Sequence, residues 1–275
     1  MSLTPNPLSE FLITESASKF KSANDFAEHV YSLISEVKEH RVFLFTEVPE
    51  SWGRAAFEAV DESFPCRQTL DPFTHTLRVK AMLEYIHEIA DQWMPLMVEK
   101  WRYQDNLLTQ HERLLLSYVG NTTLRFTSGP CRGWTKSPDF TIQVEGQSFP
   151  SIVVESGWSE GYNKLFEDIN RLIIGGDGET NIAILMNWRQ RVNGVTGIIE
   201  VYRRDNTNIP QLLHREDIFP RPDPPTVSMI PIRRVDLFGR SLLTGSNPND
   251  VLNLDLEILR NVATLGLHRM GLSPF

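Results

Sequence analysis

Residues 137–170, SPDFTIQVEGQSFPSIVVESGWSEGYNKLFEDIN, decide the fold class because they join two apolar runs to a helical repeat. Residues 140–144 and 151–156 are short runs bounded by turn residues, which predicts two strands. The second run has three consecutive β-branched residues, typical of a strand buried on both faces. From 160 to 174, apolar side chains recur every three or four positions, which predicts a helix that the following GGDGE ends.

Three more apolar runs extend this pattern on both sides. Residues 124–127 are predicted as a strand before it, and residues 182–187 and 197–202 as two strands after it. The resulting order is β-β-β-α-β-β, with one crossover helix. We therefore expect an α/β core with a mixed β-sheet flanked by helices over residues 120–275.

The N-terminal part of the chain shows helical periodicity. Residues 23–38 and 76–101 carry apolar side chains at three- and four-residue spacing, and Pro95 is expected to kink or divide the second helix. Residues 107–119 have the same pattern. The sequence therefore predicts a mainly helical region over residues 1–119 that packs on the core.

Composition restricts the class of protein. Apolar residues at 41% and charged residues at 23% are typical of a soluble globular chain. The N-terminus lacks the pattern of a signal peptide, and no apolar run is long enough to span a membrane. Cys66 and Cys131 are too far apart for a metal knuckle and are predicted to be thiols without a disulfide. We expect an intracellular protein, cytoplasmic or nuclear, with no membrane partner.

The net charge of −8 argues against strong nonspecific binding to nucleic acid, which depends on a basic excess. The C-terminal half nevertheless holds closely spaced arginines, whose guanidinium groups suit phosphate oxygens. Two interpretations stay open for them: phosphate contacts, or salt-bridge partners at strand ends. The pairs are Arg189/Arg191, Arg203/Arg204 and Arg233/Arg234.

Two acidic residues lie beside the predicted central strands. Asp139 comes at the start of one strand and Glu155 near the end of the next. Such carboxylates can converge on a hard cation such as Mg²⁺ or Mn²⁺, which takes oxygen ligands and completes its shell with water and substrate phosphate oxygens. The cation would generate hydroxide and stabilise the charge that develops on a phosphodiester.

The Pro-Asp pair, followed by an apolar strand that ends in Glu, resembles the PD-(D/E)XK nuclease superfamily with its restriction-endonuclease-like fold. The segment PSIVVESGWSEGYNKLFEDINRLI is similar to an uncharacterised fungal group with a Glu-x-Gly-(Tyr/Trp)-Ser-Glu motif, and the resemblance covers about residues 120–240. It implies a metal-dependent nuclease in which Asp139 and Glu155 are catalytic metal ligands. Gly157 departs from the pattern, because the superfamily has there a lysine that orients the attacking water.

Lys164 on the following helix is the candidate to replace that lysine, since lysines of this superfamily are known to migrate to another element. Alternatively, Lys164 forms surface ion pairs with Glu160 and Asp168 at i, i+4 spacing. Trp158 has two interpretations as well: it stacks on a base of the substrate, or it is a core aromatic at the edge of the sheet.

Arg125, Arg132 and Lys136 are the candidate substrate-binding cations, because they precede Asp139 closely in the sequence. None of the seven histidines has a zinc-ligand spacing, and no Walker loop or GxGxxG motif follows a strand. Two functions therefore remain. One is a Mg²⁺- or Mn²⁺-dependent nuclease acting on nucleic acid, and the other is a nuclease fold reused for binding or for small-molecule chemistry.

Overall fold

The structure is a computed structural model of mixed α/β class that describes residues 12–38, 40–61, 64, 66–81, 85–120, 122–158, 161–223 and 229–275. The chain forms two compact units. The first unit contains residues 1–84 and 123–137, and the second contains residues 85–122 and 138–275. The predicted division into residues 1–119 and 120–275 is therefore not the one observed, since residues 85–122 belong with the C-terminal part.

The strands in chain order are β1 (Leu12–Ser16), β2 (Arg41–Thr46), β3 (Cys66–Asp71), β4 (Thr76–Ala81), β5 (Leu116–Val119), β6 (Leu124–Arg125), β7 (Thr135–Lys136), β8 (Phe140–Val144), β9 (Ile152–Trp158), β10 (Ile182–Arg191), β11 (Gly194–Arg204), β12 (Pro210–Phe219), β13 (Met229–Arg233) and β14 (Val251–Asp255). The α-helices are α1 (Ala23–Ser35), α2 (Glu50–Asp61), α3 (Tyr85–Glu99), α4 (Gln110–Leu114), α5 (Tyr162–Gly175), α6 (Arg234–Phe238) and α7 (Leu256–Arg269).

The first unit is built on a sheet, which corrects the prediction of a mainly helical region. Its described strands follow the order β1-β2-β4-β3-β7-β6, and α1 and α2 accompany them. The segment predicted as one helix over 76–101 is strand β4 followed by helix α3. Leu77, Val79 and Ala81 are all buried and alternate with period two, which is the strand pattern.

The second unit contains the sheet that the sequence predicted, with a different first strand. Its described strands follow the order β12-β11-β10-β9-β8-β5. Strands β5, β8 and β9 are antiparallel neighbours, β9 and β10 are parallel, and β10 to β12 are antiparallel. The first strand is β5, which the sequence predicted as helix, whereas the predicted strand at 124–127 supplies β6 to the sheet of the first unit.

Helices cover both faces of β9. On one face, Ser156 Oγ donates a hydrogen bond to the Ile86 carbonyl of α3 at 2.9 Å and accepts one from Trp188 Nε1 at 3.0 Å. On the other face, a Cβ atom built on Gly157 would lie 3.2 Å from Leu165 Cδ1 of α5. Successive residues of a strand point to opposite faces, so Glu155 and Gly157 share the α5 face.

Helix α3 and the short π-helical segment after it, Lys100–Gln104, are tied to β14 and the start of α7 by buried tryptophans. Trp93 Nε1 donates to the Asp255 carbonyl at 3.0 Å, and Trp101 Nε1 donates to the Asn253 carbonyl at 2.8 Å. Pro95 lies inside α3, and the helix continues past it to Glu99. Across the described ranges, no helix combines the length and the apolar character needed to cross a membrane.

Candidate functional site

Asp139 directly precedes β8, and Glu155 lies on the neighbouring strand β9. The antiparallel register of the two strands ends at the pair Phe140 and Val154, so Asp139 and Glu155 are the next residues beyond it. Each of the two carboxylates is only 1% exposed. The two acids that the sequence singled out thus adjoin the same end of the β8–β9 pair.

The surroundings of Asp139 include a histidine that the sequence did not identify. Asp139 Oδ2 accepts a hydrogen bond from the Ser156 backbone N–H at 2.7 Å, and Oδ1 lies 3.5 Å from His87 Nδ1. His87 is 2% exposed in the first turns of α3. No ligand spacing marks His87 in the sequence, because its neighbour in space comes from a strand 52 residues later.

The donor chemistry of this pair fits a hard divalent cation with two protein ligands. Carboxylate oxygens are the groups that Mg²⁺ and Mn²⁺ prefer, and Mg²⁺ commonly uses one or two carboxylates with water and substrate oxygens at the other positions. Within the part of the chain that the structure describes, no group of three or more His, Cys, Asp or Glu side chains is arranged to hold a metal. Asp139 and Glu155 would thus be the protein ligands.

Gly157 lies where the resemblance would place a lysine, and its neighbours limit the side chains that this position can hold. A Cβ atom at Gly157 meets the end of the Leu165 side chain at 3.2 Å. The parallel register pairs Gly157 with Asn187 of β10. Asn187 therefore lies beside the position that the lysine would occupy, on the α5 face of the sheet.

Gly157→Ala is expected to lower the free energy of unfolding by about 1 kcal/mol or less, because the flexible Leu165 side chain can shift by a few tenths of an ångström. Gly197→Ala serves as the matched comparison in the same sheet. Its Cβ atom would lie 2.5 Å from the Trp188 ring, and we expect a loss of about 2–3 kcal/mol. Urea unfolding of both variants measures the difference, and equal losses would contradict this account of the packing.

Lys164 forms ion pairs along its own helix. Its Nζ lies 3.5 Å from Asp168 Oδ1 and 3.6 Å from Glu167 Oε2. The predicted ion pair between Lys164 and Asp168 is therefore present. The other predicted partner of Lys164, Glu160, lies outside the described residues. The catalytic role of Lys164 stays a prediction.

Trp158 is the last residue of β9 and pairs with Trp188 of β10 in the parallel register. The side chain is 8% exposed. Burial of this extent favours the core interpretation of Trp158 over stacking on a substrate base, because a stacking platform needs an open face.

The three candidate cations before Asp139 belong to the first unit, whereas Asp139 belongs to the second. Arg125 is an exposed residue of β6 whose Nη1 lies 3.3 Å from Glu58 Oε1, and Arg132 is exposed in a turn. Lys136 differs from both, since it is 2% exposed on β7. An ammonium group that is this buried needs compensating polar or charged contacts.

Glu200 organises a buried cluster that the sequence reasoning missed. It is 1% exposed on β11 and accepts hydrogen bonds from Tyr202 at 2.7 Å, from Arg215 at 2.8 Å and from Tyr162 at 3.1 Å. Burial, followed by the Glu200 carboxylate, raises the pKa of both tyrosines. The phenols therefore stay protonated donors at neutral pH. A signal existed in the sequence, as an acid placed between apolar strand residues.

A cavity of about 510 Å³ lies next to this cluster, and we call it the arginine cavity. Its defining residues come from α5, β10 and β12. They are Tyr162, Asn187, Arg189, Arg191, Arg215 and Asp217.

Asn187 and Arg189 occupy alternate positions of β10, so both lie on the α5 face that also carries Glu155 and Gly157. Neither guanidinium of Arg189 and Arg191 makes a hydrogen bond or ion pair to any residue that the structure describes. The arginine cavity is thus a cationic site beside the lysine position.

A second cavity, of about 320 Å³, is lined by arginines that are already engaged. Arg233 contacts Asp236 at 2.8 Å, Arg240 contacts Glu179, and Arg204 donates to Asn181 at 2.9 Å. These contacts explain why this cavity offers little charge to a ligand.

The arginine pairs from the sequence therefore divide into two groups. Arg203 contacts Asp236 at 3.0 Å, and Arg234 contacts Glu112 and Asp250. Together with the Arg233 contact, these support the salt-bridge interpretation for Arg203, Arg233 and Arg234, whereas Arg204 donates to the amide of Asn181. The pair 189/191 keeps the interpretation as a phosphate contact.

Comparison of the chain with protein-family models, with curated proteins and with solved structures gave no match.

Proposed function

We propose that the protein is a nuclease-like hydrolase with a restriction-endonuclease-like core in the second unit, acting on phosphodiesters of nucleic acid in an intracellular compartment. The observation that supports the proposal is the β8–β9 pair of a mixed sheet, because its register ends at Phe140 and Val154, directly beside Asp139 and Glu155. The crossover helix α5 follows the third strand, as the resemblance implies.

Asp139 and Glu155 are proposed to hold Mg²⁺ or Mn²⁺. When bound, the cation supplies a hydroxide nucleophile and stabilises negative charge on the phosphate. The backbone N–H of Ser156 holds Asp139 in place at 2.7 Å, so the ligand is preorganised. The proposed metal ligands are therefore held in place by the sheet of the second unit.

The charge that Gly157 cannot supply needs another source. Arg189 of the arginine cavity lies two residues after Asn187, the partner of Gly157. It is therefore a candidate to stabilise the phosphate together with Lys164. Under this proposal, cations on α5 and β10 replace the charge of the lysine that is absent at Gly157.

Asp139→Asn is expected to reduce metal-dependent cleavage about 100-fold or more, because a neutral amide is a poor ligand for a hard cation. The substrates are plasmid, single-stranded DNA and RNA with Mg²⁺ or Mn²⁺. Asparagine is chosen because its amide oxygen can still accept the hydrogen bond from Ser156. Alanine would leave a buried N–H without its acceptor and destabilise the protein by about 1–3 kcal/mol.

Asp177→Asn is the matched control, since Asp177 is an exposed turn residue of the same unit. It should cleave like the wild type. The proposal of nuclease activity would be overturned if Asp139→Asn cleaved as well as the wild type. It would also be overturned if the wild type cleaved none of the substrates.

One observation favours the second function, a nuclease fold reused for binding or small-molecule chemistry. Asp139 and Glu155 are each 1% exposed, and neither lines either of the two cavities described above. Under this alternative the protein takes up neither Mg²⁺ nor Mn²⁺ in calorimetry. Metal uptake that Asp139→Asn abolishes would exclude it.

A further inference from the structure

We propose that the arginine cavity binds a small phosphate monoester of the nucleoside monophosphate class. The proposal goes beyond phosphodiester cleavage, because it requires neither metal nor hydrolysis. It depends on three features of the cavity: its charge, a buried amide and its size.

The charge of the cavity favours a phosphate group. Arg189, Arg191 and Arg215 line it against one carboxylate, that of Asp217. Arg215 is engaged by Glu200 at 2.8 Å, so its charge is largely balanced. Arg189 and Arg191 are exposed and lie on alternate residues of β10, hence on one face. Two guanidinium forks match a phosphate monoester, which carries close to two negative charges.

Asn187 indicates that the ligand has a polar group besides the phosphate. It is 9% exposed, and its Oδ1 atom is buried without a hydrogen-bond partner among the residues described. Nearly all buried polar side-chain atoms in proteins have a partner, and a rotation of the Asn187 amide toward the cavity would let a ligand supply it. An amide can pair with the donors and acceptors on the edge of a nucleobase.

The rest of the cavity suits a planar molecule. Its volume of about 510 Å³ lies within the range of small-ligand sites. Tyr162 is part of the lining, and the face of an aromatic ring can stack on a base. Tyr162 is also the first residue of the 14-residue helix α5, whose positive end favours an anion. The phosphate, the edge of the base and the face of the base thus each have a matching group in the cavity: the two arginines, the Asn187 amide and Tyr162.

Calorimetry without divalent metal tests the proposal with three probes: adenosine 5′-monophosphate, adenosine and inorganic phosphate. The wild-type protein is used, because none of the three probes contains a phosphodiester bond and no divalent metal is present. We expect the monophosphate to bind about 10-fold or more tightly than either adenosine or phosphate, because only it uses both parts of the cavity.

Two variants assign the contacts. Arg189→Ala with Arg191→Ala is expected to weaken monophosphate binding about 10-fold to 100-fold, and Asn187→Leu about 10-fold with little effect on phosphate. Arg102→Ala with Arg269→Ala is the control of equal charge change, since both arginines lie outside the cavity, over the rings of Tyr103 and Tyr85.

The proposal would be overturned if the folded protein did not bind the monophosphate, or if it bound phosphate and monophosphate with equal affinity. It would also be overturned if the control variant Arg102→Ala with Arg269→Ala weakened binding as much as the cavity variant does. Because the measurement involves no metal, its failure leaves the nuclease proposal standing, and the absence of cleavage leaves this one standing.

Discussion

Replacing Arg234 with methionine is expected to lower the free energy of unfolding by about 3–5 kcal/mol, because it leaves the buried Glu112 carboxylate without its positive partner. The Arg234 side chain is 7% exposed and contacts Glu112, whose side chain is fully buried. Arg234 also donates to Asp250 Oδ2 at 2.9 Å and to the Leu107 carbonyl. Urea unfolding of the variant and the wild type measures the loss.

The double variant Arg234→Met with Glu112→Leu is the control, because it removes both charges together. It should be more stable than Arg234→Met, since an apolar pair replaces a stranded carboxylate. Arg113→Met offers a comparison at a partly exposed ion pair with Glu99, where we expect a loss of about 1 kcal/mol or less. If Arg234→Met also lost only about 1 kcal/mol, the claim that Arg234 balances a buried Glu112 carboxylate would be contradicted.

The same pair determines how stability changes with pH. Burial alone would raise the pKa of Glu112, but the Thr109 backbone N–H and the Arg234 guanidinium together hold this pKa below its usual value of 4.5. A lowered folded-state pKa gives stability that is present above pH 4.5 and is lost as the pH falls through the folded value. Arg234→Met should therefore lose less stability on acidification than the wild type does.

The central strands and α5 could be predicted because their signals are local. Strand β8 begins and ends at the residues the sequence indicated, and β9, α5 and β10 start within two residues of the predicted positions. Their apolar side chains are consecutive or regularly spaced, so burial on one or both faces is visible in the pattern.

The N-terminal sheet could not be predicted, because burial there includes polar residues. All six residues of β3, CRQTLD, are buried, and four of them are Arg67, Gln68, Thr69 and Asp71. Such a strand shows no apolar alternation, and contacts distant in sequence decide its burial. Strand β12 was missed for the opposite reason, since most of its residues are at least partly exposed.

The candidate site shows the same limit. Asp139 and Glu155 could be identified because Asp139 directly precedes one recognisable strand and Glu155 lies within the next one. His87 comes from a helix with an apolar face, and Glu200 gains its meaning from Tyr162 and Arg215, which lie 38 and 15 residues away. Spacing along the chain does not reveal groups that meet across elements.

Trp93→Ala is expected to lower the free energy of unfolding by about 3–5 kcal/mol, the range for truncating a buried aromatic side chain. Trp93 is fully buried, and its indole N–H donates to the Asp255 carbonyl at 3.0 Å. That carbonyl belongs to the N-cap residue of α7, so the substitution loosens α3 from α7.

The consequence extends to the site, because α3 also supplies the Ile86 carbonyl to Ser156 and places His87 beside Asp139. Trp93→Phe keeps most of the apolar volume and loses the indole hydrogen bond, so we expect it to lose about 1–2 kcal/mol. If α3 positions Asp139, Trp93→Ala should weaken Mn²⁺ uptake under conditions where it is still folded, and Trp93→Phe should weaken it less. Unchanged uptake in folded Trp93→Ala would show that β8 and β9 hold the carboxylates without help from α3.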